Sequence, residues 1–315
     1  MSGASNCDIN HHYKGLSIFT TVCCCLLFLS TTFLNSLIIH IVLKNRANKF
    51  KIFFYKLLLN VSIADALIGY IADAVFIGIH IKESLEIKTT KAELITAHMI
   101  MFNLGGVSLI TLMYLCIDRI YAILRPYAYR NGISVNAARC AIASTWCVST
   151  LQACVYLFTG FMKYLVVFTT FNIIVPFCLL ALTVLVYHNK FMRHPQQEDA
   201  QQEGTERAKL NQRNSESKKK GKRATIAFLK MLLVFILSYL PACFITVYFN
   251  VCMACDCMLI HILRDLSVLF ILSGSLLRAI NYLVTLTSLR REVAKLFGRN
   301  PENSSSDSAG VTQNY

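Results

Sequence analysis

Charge is scarce in this chain. Only 15% of its 315 residues are Asp, Glu, Lys or Arg, against about 25% in soluble domains. Apolar residues make up 55%, and mean hydropathy is +0.52. This excludes a water-soluble globule and points to a membrane protein. Strand-like alternation of polar and apolar residues is missing from the apolar runs. Backbone polar groups in lipid must be satisfied within the segment, so those runs are predicted to be helices. A signal-peptide layout is missing as well, because residues 1–15 are polar and the first apolar run is long enough to span.

Cysteine is plentiful, yet it does not make a disulfide framework. Nine of the thirteen Cys lie inside apolar runs: Cys23, Cys24, Cys25, Cys116, Cys140, Cys147, Cys154, Cys178 and Cys243. In lipid such a residue is a small apolar packing group. The other four are Cys7, Cys252, Cys255 and Cys257, and no His pair stands near them at a zinc-ligand spacing. The net charge of +14 is concentrated, with ten Lys/Arg against five Asp/Glu between His188 and Arg223. A nucleic-acid-binding protein would not set its basic residues between apolar runs of membrane length.

A bilayer core takes about 20 apolar residues per helix. Seven runs meet this, at 16–43, 53–81, 94–124, 138–161, 164–188, 224–251 and 259–287. Lys44, Arg46, Lys49 and Lys51 follow the first run, and Arg125 and Arg130 follow the third. The ten basic residues after the fifth, and Arg290, Arg291, Lys295 and Arg299 after the seventh, share that side. Lys/Arg-rich loops are cytoplasmic, which puts residues 1–15 outside and the C-terminus inside. The fold class expected is therefore an all-α membrane protein, a seven-transmembrane helix bundle over 16–287. The loop about 189–223 lacks apolar residues to bury and is predicted to be flexible, and the tail 299–315 disordered. In residues 288–298, Leu289, Val293, Leu296 and Phe297 fall on one face, as in a short amphipathic helix lying on membrane lipid.

Ionisable residues inside spans are costly and mark function by default. Asp65 sits in the second run and Arg278 in the seventh, with Asn35 and Asn281 at similar depth in the first and seventh. Arg278 and Asn281 share a helix face. A lone buried carboxylate or guanidinium is unfavourable, and a mutual pair solves both problems. The third run has no Asp, Glu, Lys or Arg from Met99 to Ile117, then ends on Asp118-Arg119.

These residues carry a resemblance in order along the chain. FLNSLI with Asn35, LNVSIAD with Asp65, and DRIYAILRPYAY with Asp118 and Arg119 mark the first three spans. Trp146, the sole tryptophan, Pro176, SYLP with Tyr239 and Pro241, and INYLVT mark the rest. The set resembles the rhodopsin-like (class A) G-protein-coupled receptors across nearly the whole chain. The resemblance implies a plasma-membrane receptor that binds a small-molecule or peptide ligand and activates a heterotrimeric G protein, with arrestin as a further partner of NSSSDS in the tail. It implies that Asp118 restrains Arg119, with Ile123, Pro126 and Tyr129 in the docking turn. It assigns Asn35, Asp65, Ser108 and Asn281 to a polar core, where the family commonly holds sodium. Arg278 is foreign to that pattern, and it is predicted to pair with Asp65 and displace the ion. No other cofactor or metal is expected.

The departures narrow the comparison. Most of the family has a Cys at the outer end of the third span, and this chain has none near Leu94. Melanocortin receptors share that absence and a cysteine cluster like CMACDC. That similarity implies one bridge within Cys252, Cys255 and Cys257, one from the remainder to Cys7, and a weak lean to cyclic-AMP signalling. The acids of the melanocortin ligand site match Val75, Leu94 and His98, and the nearby Asp73 and Glu93 are off register. The amine-binding Asp matches Met101, and the retinal-binding Lys matches Ser275. The expected ligand pocket is Met101, Gly105, Asn172, Tyr239 and Cys243. Ile120, Tyr239, Tyr282 and Thr285 replace family residues of the switch. A secondary transporter is the rival class, but the chain shows no internal repeat. An enzyme is not expected, because no His, Asp or Ser set converges in the spans.

Overall fold

The computed structural model describes residues 14–45, 53–125, 128–129, 134–159, 161–170 and 174–192. It also describes 229–230, 233–234, 236–245, 247–248, 251–252 and 256–298. The expected loop 189–223 and tail 299–315 therefore fall almost wholly outside the described residues.

The described chain is helical, and it forms an all-α seven-helix bundle. Five helices are long and apolar enough to cross a membrane, namely Lys14–Lys44, Phe53–Ser84, Lys91–Ala122, Asn136–Thr159 and Cys257–Thr285. The third continues to Leu124. The fifth span is built from Phe161–Thr169 and Val175–Met192. The sixth contributes the apolar helix Ile236–Ile245. A short helix, Thr287–Leu296, follows the seventh span.

The bundle is apolar on its outer surface, and its core mixes apolar side chains with buried polar ones. On the first span, Ser17, Thr20, Cys24, Thr31, Asn35 and Ile38 are buried, at helical spacing on one face. Phe19, Leu26, Leu29 and Phe33 of the opposite face are exposed. Such a face suits lipid, and the buried polar stripe needs partners on neighbouring helices.

Charges close the outer ends. Thr90 and Glu93 form a capping box, with Glu93 N–H donating to Thr90 Oγ1 at 3.2 Å and Thr90 N–H to Glu93 Oε2 at 3.0 Å. Glu93 also pairs with Lys82. Satisfying those groups lets the second helix run to Ser84 and the third start at Lys91. The seventh span is N-capped by Asp256, which accepts from Met258 N–H at 3.2 Å. It then runs unbroken through Tyr282, whose backbone N–H a proline would lack.

The second span is irregular at its middle. Residues Ile68–Asp73 form a π turn. Gly69 lies there against the first span, where an added Cβ would stand 2.8 Å from Thr32 Cγ2. In the short last helix Leu289 is buried, while Leu296 and Phe297 are exposed. Ser288 ties it back to Tyr55 through a 2.7 Å hydroxyl contact.

Candidate functional site

Arg278 and Asp65 meet in the centre of the bundle. Both are buried, at 1% and 0% exposure. Arg278 Nε donates to Asp65 Oδ2 at 2.9 Å, and Nη2 donates to Asp65 Oδ1 at 2.7 Å. This is a bidentate fork, the strongest pairing a guanidinium makes with a carboxylate. Ser108 Oγ donates to Asp65 Oδ1 at 2.7 Å, and Ser275 Oγ accepts from Arg278 Nη2 at 3.0 Å. Ser275 is one helical turn from Arg278, so the i, i+3 spacing held the signal for it. Both carboxylate oxygens of Asp65 are thus engaged by the Arg278 guanidinium. Gly274 leaves room for the guanidinium, since an added Cβ would lie 3.3 Å from Arg278 Nη1.

Two other residues expected in this cluster bond within their own helices. Asn35 Nδ2 donates to Thr31 O, in its own helix, at 3.0 Å. Asn281 Oδ1 accepts from Thr285 Oγ1 at 2.8 Å. The hydrogen bonds join Asp65, Ser108, Arg278 and Ser275, while Asn35 and Asn281 bond within their own helices.

Tyr239 of the sixth span lies against this core and is buried. The Arg278 guanidinium is 5.9 Å from its ring centroid. Cys243 Sγ donates to the Tyr239 carbonyl at 2.9 Å. A Cβ on Gly105 would sit 3.9 Å from Tyr239 Oη. Thus the third and sixth spans bring Gly105, Cys243 and Tyr239 together above Arg278. Met101 is buried one turn away on the third span, and Pro241 lies within the sixth helix. Asn172 lies outside the described residues, as does the side chain of Pro176. An aromatic cluster missed in the sequence packs on the outer side. It joins Phe102 to Tyr164 and Phe168 at 4.6 and 5.0 Å between ring centroids. His98 Nδ1 is 3.1 Å from Tyr156 Oη beside it.

At the basic end, Asp118 is 2% exposed and pairs with Arg119. Arg119 Nε donates to Asp118 Oδ2 at 3.0 Å. Tyr129 closes over the pair: its hydroxyl accepts from Arg119 Nη2 at 2.6 Å and donates to Asp118 Oδ2 at 3.3 Å. Burial, ahead of the opposing pull of Arg119, pushes the Tyr129 phenol up to about 12, so it keeps its proton to donate. Arg119 also lies over the Phe54 ring, 4.8 Å from its centroid. Phe54 was not among the expected residues. Pro126 and the Ile123 side chain lie outside the described residues.

A third polar junction was also unforeseen. Asn60 Nδ2 donates to Thr111 Oγ1 at 2.8 Å and to Thr145 Oγ1 at 3.2 Å. Trp146 Nε1 donates to Asn60 Oδ1 at 3.0 Å. One side chain of the second span thereby holds the third and the fourth.

At the outer end, Cys252 and Cys257 are disulfide-bonded. Cys7 and Cys255 lie outside the described residues.

Residues 34–163 match the family model described as 7 transmembrane receptor (rhodopsin family). Over those residues the chain is similar to the rhodopsin-family receptors. The matched stretch holds Asn35, Asp65, Ser108, Asp118, Arg119 and Trp146. Receptors of that family are multi-pass plasma-membrane proteins rather than enzymes, and the apolar helices here fit one. The partners such a receptor implies are a ligand and a G protein. No curated protein matches the chain.

Proposed function

We propose that this receptor senses an outer ligand at Tyr239 and passes the signal through Arg278 to Arg119. The ligand would occupy Met101, Gly105, Asn172, Tyr239 and Cys243. The observation that carries the reading is the position of Tyr239. It touches the space beside Gly105 on one side and faces the Arg278 guanidinium on the other. A ligand that moves this ring changes the surroundings of a buried ion pair, where small shifts matter electrostatically.

In this reading Arg278 stands where relatives hold sodium, and it locks the second span to the seventh. At the basic end, Asp118 and Tyr129 hold Arg119 back from the G protein. Ile123, Pro126 and Tyr129 form the docking turn, and arrestin takes the phosphorylated tail. The bare third-span outer end and the CMACDC cluster support a melanocortin-like scaffold and a cyclic-AMP response. The ligand chemistry differs from melanocortin peptides, since Val75, Leu94 and His98 supply no carboxylate.

The test is nucleotide exchange on G protein by the full-length receptor in lipid nanodiscs, without agonist. Asp118→Asn should raise basal exchange several-fold. A well-expressed Asp118→Asn receptor with unchanged exchange overturns the restraint. A ligand library read by both cyclic AMP and calcium identifies agonist and coupling.

A further inference from the structure

Asp73 stands apart from the other buried carboxylates among the described residues. It is fully buried in the π turn of the second span. Neither of its carboxylate oxygens has a hydrogen-bond partner. Asp65 has Arg278 and Ser108, and Asp118 has Arg119. Glu83 has Arg264 and His80, and Asp265 has Arg264 and Thr20. A buried carboxyl without such partners persists as the neutral acid or opposite a cation.

The surroundings favour a cation that enters from the outer end. Ser17, Thr20 and Cys24 are buried at i, i+3 and i+7 on the first span. Ser17 donates to Glu83 at 3.5 Å and Thr20 to Asp265 at 3.1 Å. Cys24, a turn deeper, is fully buried. The π turn that carries Asp73 packs against the first, third and seventh spans. That cluster sets two carboxylates, Glu83 and Asp265, against the single guanidinium of Arg264, with His80 beside Glu83. Two acids against one fixed base attract a positive group.

The π turn explains why Asp73 looked misplaced in the sequence. One extra residue in a turn rotates everything beyond it by about 100°. A count from Asp65 on regular helix spacing therefore misplaces the Asp73 side chain. The two acids are also separated along the helix, eight residues or about 12 Å apart.

We propose that Asp73 anchors a site for a singly charged cation where the π turn of the second span meets the first, third and seventh spans. On entry the cation replaces the carboxyl proton, which leaves to solvent. Sodium and the ammonium group of an organic ligand share this chemistry, and the test separates them.

Full-length receptor in nanodiscs is titrated with sodium chloride or methylammonium chloride against N-methyl-D-glucamine chloride at constant ionic strength. The unfolding midpoint should rise by about 3 °C for a stabilising cation. A rise with sodium alone assigns the inorganic ion, and a rise with methylammonium assigns an ammonium group. Asp73→Asn should abolish the rise, and Asp65→Asn/Arg278→Gln should keep it. Should Asp73→Asn not express, infrared difference spectra of the wild type serve instead. Cation addition should remove a protonated-carboxyl stretch. The proposal is overturned by a rise that survives Asp73→Asn. It is equally overturned by a wild type that shows neither a midpoint rise nor the carboxyl change.

Discussion

Arg278 concentrates the energetics of this bundle in one side chain. Its fork satisfies Asp65, and Asp65 in turn neutralises it. Removing one half of a buried pair strands the other charge in low dielectric, at a cost of about 3–5 kcal/mol. Arg278→Ala should therefore lower both surface expression and the unfolding midpoint. The neutral pair Asp65→Asn/Arg278→Gln should retain more of both than Arg278→Ala, because no charge is left unpaired. Equal loss in the single and double variants would show that the pair is not coupled. This contact was legible in the sequence, since two opposite charges at one depth in lipid have few other ways to be stable. Ser275 was less legible, because serine is common in membrane helices. Tyr129 was read as a docking residue, whereas its phenol turns inward onto Asp118 and Arg119. Loop conformation decides that, and no periodicity reports it.

At the scale of elements, Asn60 does what hydrophobic contact cannot do in lipid. Apolar surfaces gain little by leaving one apolar medium for another, so polar contacts and close packing hold membrane helices together. Asn60 spends its amide on two threonines and its carbonyl on Trp146. Thr111 and Thr145 direct their own protons to Val107 and Ile142 of their helices. Asn60→Ala thus leaves the Trp146 indole N–H without its acceptor. The loss should be about 1–3 kcal/mol, read as a lower unfolding midpoint in nanodiscs. An unchanged midpoint would mean that the junction adds nothing to stability. The helices themselves were plain from run length. The Asn60 junction was not, because Asn and Thr fit helices without revealing which neighbour they face. The π turn was equally hidden, since backbone hydrogen-bond register leaves no mark on composition.

For the whole molecule, the ion pairs among the described residues fall at three depths. Glu83, Asp265 and Arg264 lie at the outer end, Asp65 and Arg278 in the middle, and Asp118 and Arg119 at the basic end. The outer end is also closed by disulfide bonds at Cys252 and Cys257. Breaking a bridge in a small domain costs about 2–4 kcal/mol through the freedom returned to the unfolded chain. Mild reduction should lower the unfolding midpoint and leave the nine span cysteines as thiols, which thiol counting by mass spectrometry checks. A midpoint indifferent to reduction would show that the bridges do not hold the bundle. The seven-helix architecture followed from how little charge the chain carries and where it falls.

The fork between Arg278 and Asp65 has a mechanical side. Two parallel hydrogen bonds between rigid planar groups tolerate little sliding, so the second and seventh spans cannot drift apart by degrees. They stay latched until both bonds fail together. A latch of this kind filters small thermal excursions and yields only to a push that exceeds a threshold. It makes the centre of the bundle behave as a two-position element.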